Sequence, residues 1–261
     1  MQNNLLNYTV QGELHPNQPP IIVIHGLFGS LENLNSVAKD IAHYSQVISV
    51  DVRNHGNSFH HRSMAYNDMA ADILTLMAHL NIEKAILLGH SMGGKIAMQC
   101  ALNAPEKVEK LIVADIAPVT YQHSHQQIIA GLKSINPDAI ENRKQADEKL
   151  KAYVQELGVR QFLLKNLAKA EDGFYWRANI NYISDAYDQV IAGNQSESHF
   201  DKPVLFIKGS QSDYIKPEHR PHIVAFFPNA KAKIIQGAGH WLHAEKPAAF
   251  NKIVKDFILN S

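Results

Sequence analysis

The 261-residue chain has one cysteine, Cys100, so no internal disulfide can form; this fits a reducing compartment. It has no excess of either charge: 25 Lys plus Arg balance 25 Asp plus Glu. That balance argues against a nucleic-acid or membrane partner held by net charge. No run reaches the ~18 consecutive apolar residues a membrane span needs. The start, MQNNLLNYTV, lacks the basic residues and apolar stretch of a secretion signal. The expectation is a cytoplasmic protein. There are fifteen histidines, but the pairs His60/His61, His123/His125 and His240/His243 lack a third ligand at a familiar spacing. They read as loop or surface histidines, and no metal is expected.

What the chain does have is alternation. Short apolar runs at Ile21–Gly26, Val47–Asp51, Ala85–His90, Leu111–Ile116, Val204–Gly209 and Ala232–Gly237 suit buried parallel strands. Between them Met69, Ile73, Leu76, Met77 and Leu80 repeat at helical spacing. Phe250, Ile253, Val254, Phe257 and Ile258 do the same after Pro247, a residue suited to a first helical turn. Strands alternating with helices predict an α/β protein with a mostly parallel central sheet, whose ligands gather beyond the strands' carboxyl ends. From about Pro118 to Asp201 the rhythm breaks into helical stretches without a strong strand. Such a length is too great for a loop in a compact domain. The expected organisation is a core of residues 1–117 and 202–261 with a helical cap, 118–201, inserted after the strand ending at Asp115.

The stretch LLGHSMGGKIA, Leu87 to Ala97, contains Gly89-His90-Ser91-Met92-Gly93 between a strand candidate and a helix candidate. This is the context of a nucleophile elbow, a turn so sharp that small flanking residues are needed and the serine hydroxyl stands clear. A serine needs a base. GAGHWLH, Gly237 to His243, follows the last strand candidate, and His240 is the better placed of its two histidines, with His243 second. A developing oxyanion needs two donors: the Met92 N–H after the serine, and an N–H from HGLFGS, where Leu27 is preferred over Phe28. Two aspartates compete to hold the histidine: Asp115, at the end of LIVADIAPV, and Asp213, after VLFIKG.

HGLFGS, DVRNHGNS, GHSMGG, DIAPV and GAGHWLHAEKP together resemble the α/β-hydrolase superfamily, and within it the YbfF-type bacterial carboxylesterases, small cytoplasmic enzymes with a helical cap. The resemblance runs over nearly the whole chain, including RQFLLKNL and FYWRANI. It implies the α/β-hydrolase fold and a serine carboxylesterase acting on small acyl esters through an acyl-enzyme, with thioesters open to the same machinery. It implies Ser91, Asp115 and His240 as the triad, with Ser212 joining their hydrogen bonds, and no cofactor. Arg53 reads as the anchor of its loop. Phe28 and Trp241 flank the oxyanion and base loops and are candidates for the substrate pocket, which Phe174, Tyr175 and Trp176 either roof or leave to ordinary packing. Lys95 reads as a solvated helix residue or as a sign of an anionic substrate. Two rivals remain: a carbon–carbon bond hydrolase of this fold, and a ligand-binding protein that keeps the fold with little turnover. The partner is a small molecule; nothing in the sequence sets the oligomeric state.

Overall fold

In the computed structural model of the protein, which describes residues 4–16, 18–171 and 173–260, nine strands form. They are β1 (Tyr8–Gln11), β2 (Ile21–Ile24), β3 (Val47–Val50), β4 (Ala85–His90), β5 (Val108–Ala114), β6 (Leu167–Ala170), β7 (Gly173–Trp176), β8 (Val204–Gly209) and β9 (Ala230–Ile235). Seven make one sheet in the order β1-β3-β2-β4-β5-β8-β9. Every neighbouring pair is parallel except β1 with β3. Parallel strands are covered on both faces, so β2, β3 and β4 are buried at every position, which explains their unbroken apolar runs. One face packs against the helices Asn35–Ile41 and Pro247–Asn260 through Val37, Ile41, Phe250 and Val254. The other packs against Tyr66–His79 and Met92–Asn103 through Met69, Ile73, Ile96 and Cys100.

Register and order place the site. Ile24 pairs with Gly89, His90 with Ala114, and Ala114 with Ile207, so the carboxyl ends of β2, β4, β5 and β8 stand level. The chain winds outward from β2 to β3, then crosses back to start β4 on the other side of β2. The crevice where winding reverses therefore opens between β2 and β4.

Two elements differ from the sequence expectation. β1 is an edge strand with no fully buried position, so it has no apolar run to betray it. Segment 118–201 is helical at Gln126–Ser134, Arg143–Lys151, Leu157–Leu163, Ile180–Asp185 and Tyr187–Ile191, but it also holds the antiparallel hairpin β6–β7, Leu167 opposite Trp176. Four-residue strands inside a helix-rich stretch are too short for periodicity to reveal. Residues 1–3 and 261, at the ends of the expected core, and 17 and 172 lie outside the described residues.

Candidate active site

Ser91 follows β4 directly and precedes the helix Met92–Asn103 with φ +54° and ψ −122°, a conformation costly for any residue with a Cβ. Its neighbours make the turn possible. A Cβ on Gly89 would run into the Gly93 carbonyl, and one on Gly93 into the Ile24 carbonyl of β2. Side chains at either place would push the helix off the sheet. The turn is held by the Ser91 N–H donating to the Ala114 carbonyl at 2.9 Å, and by the Ser91 carbonyl accepting from Gly94 at 2.8 Å.

His240, in the loop after β9, brings Nε2 to 3.0 Å from the Ser91 hydroxyl and Nδ1 to 2.8 Å from Asp115 Oδ2. Asp115 follows β5, is fully buried, and has φ +54°. Its Oδ1 accepts from the Gly209 N–H at 3.0 Å, and its Oδ2 also accepts from the Ser212 hydroxyl. Ser212 thus reaches the carboxylate rather than the imidazole. Asp213, the competing aspartate, is exposed and makes no hydrogen bond with His240. An anionic carboxylate fixes the tautomer, so Nδ1 carries the hydrogen and Nε2 faces the serine as acceptor.

The N–H groups of Leu27 and Met92 have no hydrogen-bond partner among the described residues; Met92, as a first helical residue, cannot have an intrahelical one. The Phe28 N–H is occupied, donating to His55 Nε2 at 3.0 Å, which separates the two amides that the sequence left in competition. Buried imidazoles brace this loop. His55 accepts at Nε2 and so donates from Nδ1 to the Arg53 carbonyl at 2.9 Å. His25 likewise accepts from the Val52 N–H at 3.0 Å and donates to the Gly26 carbonyl at 2.8 Å. Burial pushes His55 down to about 3 and His25 in the same direction, so both stay neutral and keep these roles. Arg53 grips Asp72 through Nε at 2.6 Å and Nη2 at 2.8 Å, and sits as an anchor.

Residues 19–247 match the family described as alpha/beta hydrolase fold. The chain is 38% identical to Esterase YbfF of Escherichia coli, over 99% of both chains. It is 40% identical to the sn-1-specific diacylglycerol lipase of Mus musculus, over 92% of this chain and 81% of that one. A solved structure of a marine microorganism esterase superposes with TM-score 0.93 at 41% identity, covering 97% of this chain and 99% of its own. The chain belongs to the α/β-hydrolase family. The fold and the resemblance expected from its motifs are therefore those observed.

In this α/β-hydrolase a cavity of about 630 Å³ lies between the sheet's carboxyl edge and segment 118–201. Ser91, His240, Leu27, Phe28 and Trp241 line it from the core side, and Ile128, Val159, Phe162 and Leu163 from the segment. Phe162 and Trp241 touch with ring centroids 5.7 Å apart. Phe174, Tyr175 and Trp176 do not reach it; they form β7, with Tyr175 exposed. Asn166 ties the segment to the loop after β2 by donating to the Phe28 carbonyl at 2.7 Å.

Two sequence readings are corrected here. Lys95 is not solvated: it is 1% exposed and donates to the carbonyls of Val119, Ile191 and Ala192 at 2.7, 3.3 and 2.5 Å. These carbonyls flank the entry to and exit from the inserted helices, so one ammonium joins both passages to the Ser91 helix. Nor are the histidines all superficial. His125 and His243 line the cavity, where burial, then the nearby His240, lowers each to about 4. Among the described residues no group of three or more His, Cys, Asp or Glu could hold a metal ion. No described helix is long and apolar enough to cross a membrane. Tyr214, Asn166 and His55 escaped sequence reasoning. Each acts through a contact more than 20 residues away, which spacing does not encode.

Proposed function

We propose that this α/β-hydrolase is a serine carboxylesterase that hydrolyses uncharged small acyl esters through an acyl-enzyme. The observation that carries the reading is the unbroken relay Ser91 Oγ–His240 Nε2 at 3.0 Å and His240 Nδ1–Asp115 Oδ2 at 2.8 Å, opening on a mostly apolar cavity. The Ser91 hydroxyl attacks the ester carbonyl while His240 takes its proton. Asp115 favours the imidazolium that results. The free Leu27 and Met92 amides receive the oxyanion, each such donor being typically worth ~2.7–4 kcal/mol of barrier. As the tetrahedral intermediate collapses, His240 returns the proton to the departing alcohol. Water, deprotonated by His240, then attacks the acyl-serine, and the proton goes back to Ser91 as the acid leaves.

Segment 118–201 acts as the cap over the acyl site, with Phe28, Phe162 and Trp241 as its apolar wall; such a wall favours an acyl group over an anion. The cation of Lys95 is already met by three carbonyls, which removes the ground for an anionic substrate. An acyl thioester presents the same carbonyl to the same groups.

The test is covalent labelling of Ser91 by a fluorophosphonate together with steady hydrolysis of an aryl ester series. Ser91→Ala should lose the label and lower turnover by at least about a thousandfold. Turnover that survives in Ser91→Ala overturns the mechanism; labelling without turnover in the parent protein favours the ligand-binding rival.

A further inference from the structure

Five groups besides Ser91 face or closely neighbour the His240 ring. Asp115 meets it from β5. His90, at the end of β4, lies with its ring centroid 4.8 Å away, and its Nε2–H donates to the His240 carbonyl at 2.8 Å. His243 comes from the short helix Leu242–Glu245 and His125 from the inserted segment. Tyr214, in the loop after β8, lies flat on the ring: centroids 3.9 Å apart, planes 23° from parallel.

Only two of these can favour a positive charge on His240. Asp115 is one. The three imidazoles are kept neutral by burial, so none of them offers a charge that would draw a cation onto His240. An aromatic face is the other, because its quadrupole is negative above the ring and attracts a cation stacked there. Tyr214 stays un-ionised, since burial raises its phenol. It is also held in place from both sides. Its N–H donates to Ser212 Oγ at 3.3 Å, and its carbonyl accepts from the Tyr121 hydroxyl at 2.5 Å. That hydroxyl accepts in turn from the Ala117 N–H at 2.9 Å. The loop that carries the Ser212 contact to Asp115 thus also holds the backbone from which the Tyr214 ring projects.

We propose that Tyr214 is a positioning residue that acts through His240: its face confines the imidazole to the Ser91–Asp115 plane and stabilises the imidazolium formed as the serine attacks. The inference rests on the serine-esterase reading for its rate effect, but the stacking itself bears on the free protein. Attraction of this kind corresponds to about a tenfold change in rate or in proton affinity.

The experiment compares Tyr214→Phe, Tyr214→Leu and a variant carrying pentafluorophenylalanine at position 214, whose ring keeps its shape and reverses its quadrupole. Two readouts are taken: the His240 imidazole titration by NMR, and the pH profile of kcat/KM on an aryl ester. Tyr214→Phe should stay within about twofold of the parent. The fluorinated variant should fall about tenfold, with the His240 titration and the acidic limb both moved to lower pH by about one unit. Tyr214→Leu should move the same way. Equal titrations in the phenylalanine and pentafluorophenylalanine variants overturn the inference, as does a loss in Tyr214→Phe as large as in the fluorinated ring. A shifted titration in a protein without ester turnover would uphold the stacking and sink the esterase reading instead.

Discussion

Asp115 and His240 lie 125 positions apart in the chain, yet Asp115 Oδ2 and His240 Nδ1 are 2.8 Å apart. They follow β5 and β9, strands that are not neighbours; β8 runs between them, and its last residue and the loop after it supply two donors to the same carboxylate, the Gly209 N–H and the Ser212 hydroxyl. A fully buried carboxylate left with unmet lone pairs would be costly, and here each oxygen has a donor.

Replacing the carboxylate should therefore remove the tautomer control while leaving the packing. Asp115→Asn is expected to lower kcat by about four orders of magnitude, measured on an aryl ester, with the far-ultraviolet spectrum unchanged. Asp213→Asn, at an exposed position, should stay within about twofold. The reverse ranking would return the role to Asp213.

Acid should destabilise the protein through its buried neutral histidines. His55 is lowered to about 3, first by burial and then by His25, whereas in the unfolded chain it titrates near 6.5. Between those values the unfolded state holds a proton that the folded state refuses. Stability is then lost as pH falls from 6.5 toward 3, at up to about 1.4 kcal/mol per pH unit for this one ring. His25 and His90 act in the same direction. Urea unfolding of the parent and of His55→Gln should show the advantage of the parent shrinking by about 2 kcal/mol between pH 7 and pH 5. Parallel curves would mean that His55 takes up its proton as readily in the folded protein as in the unfolded chain.

Lys95 predicts a change of the same sign at higher pH. Burial lowers it from 10.5 to about 7, so below that pH the folded protein carries a buried ammonium at full cost. Between about 7 and 10.5 the unfolded chain binds the proton more tightly, and stability rises with pH. Relative to Lys95→Met, which keeps the length and drops the charge, the parent should gain about 3 kcal/mol between pH 6.5 and pH 9 in urea midpoints. An unchanged difference would show that the three carbonyl acceptors hold the cation as firmly as water does.

How far the chain could be read before folding depends on the range of each interaction. Ser91 is legible because its needs are local: a strand before it, a helix after it, and two positions where a Cβ would strike backbone. The core strands are legible because burial on both faces forces apolar runs. β1 is not, since as an edge strand it is only partly covered on both faces, and neither is the β6–β7 hairpin, since four residues are too few for a period to show.

The order of residues along the chain was enough to name the family and to single out Ser91 and His240 as candidates, because turns, caps and buried strands are chosen by neighbours a few positions away. Only the folded molecule separated Leu27 from Phe28, brought Asp115 rather than Asp213 against His240, sank Lys95 beneath the inserted helices and laid Tyr214 on the imidazole. Those are matters of distance between strands and loops, set by sheet order and register, and a linear sequence holds no measure of that distance.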